Sequence, residues 1–267
     1  MATDLSREAA ARQHHLAGWW VVRHGPLDRA ARRNGSAGSR AVVRALASGP
    51  DGPCLGLLAS SEEALPPRAA DGAAVVVFDG VLFNRAELQR QMPRPTAASG
   101  DAQLVLHAYR RWGEAALPKL RGMFALALWD ERRRMLLVAR DPLGTYPLFY
   151  AWAGPELLLS TSIEALLRHS GVSRAVSRVM LACYLWHRWL DVEETFFAAV
   201  RRLPPGHAMR VGDDGCRVFR YWDPAPPDRP FDWIPAEEVE GRFERTMDQV
   251  IAAYLELGPA GIFLSGG

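Results

Sequence analysis

The stretch "IFLSGG", residues 262–267, runs from an apolar segment that reads as a buried strand into a serine and two glycines. Glycines let the backbone approach an anion closely, and a serine hydroxyl adds a donor. Leu264, Ser265, Gly266 and Gly267 therefore read as the opening of a phosphate cradle. A plain turn after a strand has the same letters, so the reading depends on context. Such a cradle also needs a following helix that aims its N-terminal N–H groups and dipole at the anion. Cysteine chemistry has less support. Cys54, Cys183 and Cys216 are widely separated and lack the spacing of a zinc site or a disulfide framework. Cys183, beside Tyr184, and Cys216, near a strand start, read as packing residues. His14-His15 lies in a polar stretch and reads as solvated. No metal site is expected.

The elements that must position such residues fall into two regimes. Between Ala17 and Leu159 the runs "AGWWVV", "AAVVVFDG", "GMFALALWD" and "MLLVARD" are short, apolar and bounded by Gly, Asp or Arg, as buried strands are. Asn84 is placed to cap a short helix through Gln91. Asp101 is placed to cap a longer one, in which Leu104, Val105, Ala108 and Trp112 recur at helical spacing. Strands with helices on their faces predict an α+β layered domain.

Beyond Ser160, "TSIEALLRHS" and "SRVMLACYLWHRWL" predict helices, "RRLPPGHAMRV" a turn into a strand, and "PAPPDRPFDWIP" a proline-rich linker. Residues 236–257 then form an amphipathic helix. Val239, Phe243, Met247, Val250 and Tyr254 share one face, and Glu237 and Glu238 occupy the first turn.

The 267 residues are enough for one large or two smaller cores, and a formal net charge of +2, with arginines scattered among acids, argues against nucleic acid or a membrane surface as the main partner. The first sixteen residues are polar, without the apolar core of a signal peptide, and no run reaches the length of a membrane span. A cytoplasmic location is expected.

Six stretches, "DGVLFNRAEL", "GDAQLVLHAYRRWGEAALPKLRGMFALALWDERRRMLLVARDPLGTYPLFY", "LSTSIEALL", "LPPGHAMRV", "YWDP" and "IFLSGG", occur in an order that resembles the asparagine synthetase family. The resemblance implies a four-layer αββα class II glutamine amidotransferase domain of the N-terminal-nucleophile type, followed by an α/β ATP-pyrophosphatase domain. It divides the chain into a polar leader at 1–16, an amidotransferase-like domain at 17–222, a linker at 223–235, and the truncated start of the synthetase domain at 236–267. The family's pyrophosphate loop reads Ser-Gly-Gly-x-Asp-Ser, of which Ser265, Gly266 and Gly267 are the opening. ATP and magnesium are thus expected for the full-length parent and neither for these residues alone. The expected partner is the parent's own synthetase domain, with a homodimer as a further possibility.

The same resemblance implies an altered glutamine pocket. Glutamine-hydrolysing members use an N-terminal cysteine whose α-amino group serves as base. Ala17 stands at that position, within the chain, where neither thiol nor free amine is available. Asp79-Gly80-Val81 occupies the place of Asn-Gly-Glu. An ionised Asp only accepts hydrogen bonds and repels a developing oxyanion, and losing even one such donor typically costs about 3 kcal/mol of barrier. Val81 removes a carboxylate that would hold the glutamine amine. Asp101 matches a retained glutamine-binding acid, although a helix N-cap explains it locally. Cys54 lies too far past the first strand to replace the nucleophile, since cutting there deletes that strand. Trp19-Trp20 read as core on one face and a layer contact on the other, Arg140-Asp141 as an ion pair and turn cap in "RDPLG", and His207 as a support of the interdomain segment.

Three functions stay open at this level. One is an ATP-dependent amide-forming ligase that lacks its own ammonia source, similar to β-lactam synthetases and lasso-peptide cyclases. Another is a non-catalytic scaffold or dimerisation domain. The last is a glutamine-hydrolysing asparagine synthetase.

Overall fold

A computed structural model of the chain describes residues 67–92, 100–188, 191–225, 233–256, 258 and 261, together with the backbone of three strands at 19–23, 42–47 and 54–59. The chain divides into two compact units, Met1–Trp222 and Asp223–Gly267.

The first unit is built on two six-stranded sheets. One joins β1 (Trp19–Arg23), β2 (Val42–Ala47), β3 (Cys54–Ala59), β8 (Phe149–Ala153), β9 (Glu156–Ser160) and β10 (Val200–Arg202) in the order β10-β8-β9-β1-β3-β2. The other joins β4 (Arg68–Ala70), β5 (Ala74–Leu82), β6 (Gly122–Asp130), β7 (Met135–Arg140), β11 (His207–Gly212) and β12 (Gly215–Arg220) in the order β12-β11-β7-β6-β5-β4. Every pairing between these strands is antiparallel.

Alternation along the strands whose side chains are described sorts those side chains into three cores, because successive residues point to opposite faces. Val75 and Val77 of β5, Ala127 and Trp129 of β6, and Leu157 and Leu159 of β9 meet in the core between the sheets. Their neighbours Val76, Phe78, Leu126 and Leu128 point the other way, into a core shared with Leu104, Val105 and Ala108 of helix α2 (Asp101–Trp112). Within that core the Phe78 and Phe124 rings stack at 5.6 Å between centroids. Leu158, Ala151 and Ala153 form a third core with Ala165 and Leu166 of helix α3 (Ile163–Leu167). The layers are therefore helix, sheet, sheet, helix, which is the αββα arrangement of an α+β domain. Strands buried on both faces explain why β5–β7 read as nearly unbroken apolar runs. Each fully buried Leu or Phe contributes about 1.5–3 kcal/mol.

Two local expectations change. Asn84 does precede helix α1 (Arg85–Arg90), but its side chain makes no capping bond. Instead its Nδ2 donates to the Lys119 carbonyl at 2.9 Å and its Oδ1 accepts from the Arg121 N–H at 3.1 Å. The cap of α2 is Gly100, and Asp101 is the first residue inside the helix. Its carboxylate is free of local capping duty because it serves a partner nineteen residues earlier in sequence. Helix α4 (Arg178–Leu185) is capped by Ser177, whose hydroxyl accepts from the Met180 N–H.

The second unit contains helix α5 (Ala236–Leu255), with Glu237 and Glu238 in its first turn and no buried residue. Val239, Phe243, Met247, Val250 and Tyr254 are all exposed along it. Among the described residues no helix is long and apolar enough to cross a membrane.

Candidate functional site

Strand β5 brings Asp79, Gly80 and Val81 to one end of the sandwich. Asp79 has the parity of Val75 and Val77, so its side chain enters the space between the sheets. There Oδ1 accepts a 2.6 Å hydrogen bond from the Tyr146 phenol, and Oδ2 accepts one of 3.2 Å from the Thr161 hydroxyl. Burial pushes the Asp79 carboxyl above the ordinary aspartate range, against the pull of the Tyr146 and Thr161 hydrogen bonds. Burial, with the adjoining Asp79 charge, likewise raises the Tyr146 phenol. Both carboxyl oxygens are thus engaged within the domain.

Gly80 pairs with Phe124 across β6 at φ +131°, and a Cβ there would stand 2.1 Å from the Met123 carbonyl oxygen. Only glycine fits, because the backbones approach too closely for any side chain. Val81 is partly exposed and offers no polar atom to a ligand.

Asp101 approaches the same strand from α2. Its Oδ2 accepts from the Leu82 N–H at 3.1 Å. Its Oδ1 lies 3.2 Å from Nε of Arg85, close enough for an ion pair, yet buried without an aligned hydrogen bond. Asp101 therefore ties the end of β5 to the start of α2. The structure brings Asp79, Gly80, Val81 and Asp101 together around the last four residues of one strand.

Strand β1 enters at the same end. Trp19 pairs with Ser160 of β9, and the next residue, Thr161, is the one that bonds Asp79. Ala17 and Leu264, Ser265, Gly266 and Gly267 lie outside the described residues. So do His14 and His15, and the side chains of Trp19, Trp20 and Cys54. Cys54 opens β3, paired with Arg23 of β1.

Tyr146 is held firmly from behind. Asp141, 1% exposed, accepts from the N–H groups of Thr145 at 3.0 Å and Tyr146 at 2.8 Å, as a turn cap should. Arg140 does not direct its guanidinium hydrogen bonds at Asp141. It donates instead to the carbonyls of Tyr146 at 2.7 Å, Leu203 at 2.9 Å and Gly144. His207 contacts the Pro205 carbonyl at 2.7 Å, inside its own turn. Cys216 is exposed on β12 rather than packed, and Cys183 is partly buried. Among the described residues no cluster of His, Cys, Asp or Glu could hold a metal ion.

Tyr146 and Thr161 are not singled out by sequence alone. Both lie inside segments that carry the family resemblance, "RDPLGTYPLFY" and "LSTSIEALL", but Thr145 and Tyr150 stand beside one and Ser160 and Ser162 beside the other, so nothing local singles them out from neighbouring hydroxyls.

An αββα sandwich with a polar site where β1 begins and β5 ends defines a class II amidotransferase type of domain. Residues 55–222 match the glutamine amidotransferase domain family, and the chain belongs to it. The glutamine-hydrolysing asparagine synthetase 3 of Bacillus subtilis (strain 168) is 28% identical over 204 residues, covering 72% of this chain and 32% of that protein. Amidase chyE of Penicillium rubens is 29% identical over 202 residues, 74% of this chain and 30% of its own. The domain is thus a glutamine amidotransferase domain of the asparagine synthetase family. The chain spans about a third of the length of the curated relatives it matches. A solved structure of glutamine phosphoribosylpyrophosphate amidotransferase from B. subtilis covers 80% of this chain and 45% of its own, with a TM-score of 0.46 and 16% identity.

Proposed function

We propose that this domain belongs to an asparagine synthetase-like, ATP-dependent amide-forming ligase, which adenylates a carboxylate and lets an amine attack, and that the domain itself does not hydrolyse glutamine. The ligase part of this reading is supported by the similarity to asparagine synthetases, and the observation that carries the loss of glutamine hydrolysis is the Asp79 carboxyl, with both oxygens engaged by Tyr146 and Thr161. In the resemblance that position belongs to an oxyanion-stabilising amide. A carboxylate there offers no N–H to a tetrahedral intermediate and sets its charge against the oxyanion. Ala17 at the nucleophile position in sequence supports the same reading.

A ligase of this kind would take ATP with magnesium at a site begun by Leu264–Gly267, and its amine from free ammonia or from a substrate amine. The described residues supply neither a metal cluster nor that loop. No step of the chemistry is therefore assigned to residues of the first unit.

Ammonia release from glutamine is the decisive assay. The protein is expected to stay at the no-enzyme background. Turnover above that background, abolished by a glutamine-site covalent inhibitor, would restore the glutamine-hydrolysing reading. A scaffold or dimerising role has one observation in its favour: Val179, Tyr184, Leu185 and Trp186 are exposed on and just after α4. Sedimentation analysis would show a concentration-dependent dimer in that case.

A further inference from the structure

The exit of the first unit is bonded to the turn that holds Tyr146. The N–H groups of Tyr221 and Trp222, the last residues of that unit, donate to the Gly206 carbonyl at 2.9 and 3.2 Å. The Gly206 N–H in turn donates to the Asp141 carbonyl at 3.0 Å. The Tyr221 phenol donates at 2.6 Å to the carbonyl of Arg140. Arg140 and Asp141 then grip Tyr146 from two sides, through its carbonyl and its N–H. The Tyr146 phenol completes the path at Asp79.

These contacts leave little slack. Gly206 has φ +64°, and a Cβ on it would stand 2.8 Å from the Trp222 carbonyl oxygen. A Cβ on Gly144, at φ +65° in the turn between Asp141 and Tyr146, would stand 2.7 Å from Cγ of Pro205. Closely packed groups joined by hydrogen bonds move together or not at all.

We propose that the seat of Tyr221 and Trp222 and the Asp79–Tyr146 pair form one coupled element, so that loosening the exit of the domain changes the environment of the Asp79 carboxyl. Tyr221 is then a positioning residue for Asp79, acting through Arg140, Asp141 and Tyr146. The coupling rests on contacts within the first unit and is independent of the function proposed above. Its consequence is directional access: force or binding that displaces the chain after residue 222 reaches the candidate site without touching it.

Tyr221→Phe in the full chain removes one hydroxyl and tests this directly. Two readouts are needed: amide hydrogen exchange at Tyr146, and the carboxyl carbon titration of Asp79 by NMR. The Leu104 and Leu106 amides of buried helix α2 report global opening. Coupling predicts exchange at Tyr146 faster by roughly five- to tenfold beyond any change that Leu104 and Leu106 show through lower global stability, the effect of about one lost hydrogen bond, and a displaced Asp79 titration. Because coupling is reciprocal, Asp79→Asn should alter exchange at Trp222. Glu114→Gln, which breaks the exposed pair with Arg210, should move neither readout. Faster exchange confined to Tyr221 and Trp222, with Tyr146 and Asp79 at wild-type values, overturns the proposal. Should Tyr221→Phe fail to fold, Trp222→Leu is measured by the same two readouts and judged by the same outcomes.

Discussion

The Tyr146 phenol reaches Oδ1 of Asp79 across sixty-seven residues of chain, with an oxygen-to-oxygen distance of 2.6 Å. The bond spans the gap between the strand that ends at Leu82 and the turn that follows β7. It gives a partly buried acid one of its two donors, and it joins the site to the turn of Arg140 and Asp141.

Tyr146→Phe should therefore destabilise the domain by about 1–3 kcal/mol at neutral pH, the usual cost of removing a hydrogen bond to a charged group. The loss should shrink in acid, where Asp79 is neutral and needs its donor less. Denaturant unfolding at pH 7 and pH 4 measures both values. An equal loss at the two pH values would contradict the role given to the charge.

Asp79→Asn should have the opposite sign. The Asp79 carboxyl sits above its ordinary value because burial outweighs its hydrogen bonds. A carboxyl with a raised folded pKa holds its proton more tightly when folded, so its ionisation works against stability. That penalty is absent well below the unfolded value of about 3.9, develops as pH rises through the folded value, and is full above it. Asparagine removes the charge and keeps an acceptor for Tyr146. The stability of Asp79→Asn relative to wild type should rise with pH from about 4 and then level off. A flat difference between pH 3 and pH 8 would refute the assignment.

Gly80→Ala should prevent folding of the first unit or cost more than about 3 kcal/mol, because its methyl would meet backbone rather than a yielding side chain. Gly72→Ala is the matched control. It also has positive φ, at +81°, but nothing lies within 4 Å of its Cβ. Its cost should be limited to about 1–2 kcal/mol of backbone strain. Thermal melts of the two variants separate steric contact from strain.

Hydrogen exchange should distinguish the two long helices. Helix α2 buries Leu104, Val105, Leu106 and Ala108, whereas α5 buries none of its residues. Helical hydrogen bonds unsupported by packing are marginal even over twenty residues. Amides in α5 should exchange on the order of a thousandfold faster than those at Leu104 and Leu106. Comparable protection would mean that the apolar face of α5 is covered in solution.

Much of the fold was legible because buried strands announce themselves locally. "GMFALALWD" and "MLLVAR" are read directly as β6 and β7, since both faces of each are apolar. The site was legible only in part. Asp101 in front of a helical pattern looks like a cap, and nothing near it in sequence points to the Leu82 N–H. Asn84 misleads in the same way, because its partners are Lys119 and Arg121. Short polar side chains serve local and distant backbone equally well, so their partners emerge only when the topology is known. Tyr146 and Thr161 lie sixty-seven and eighty-two residues from Asp79, and only the stacking of the sheets brings the three together.

Strand β1 has β9 on one side and β3 on the other, near the middle of its sheet. Removing it would leave two separated groups of strands. Whatever residue stands at its start, the strand itself cannot be given up without splitting the sheet that carries Ser160 and positions Thr161.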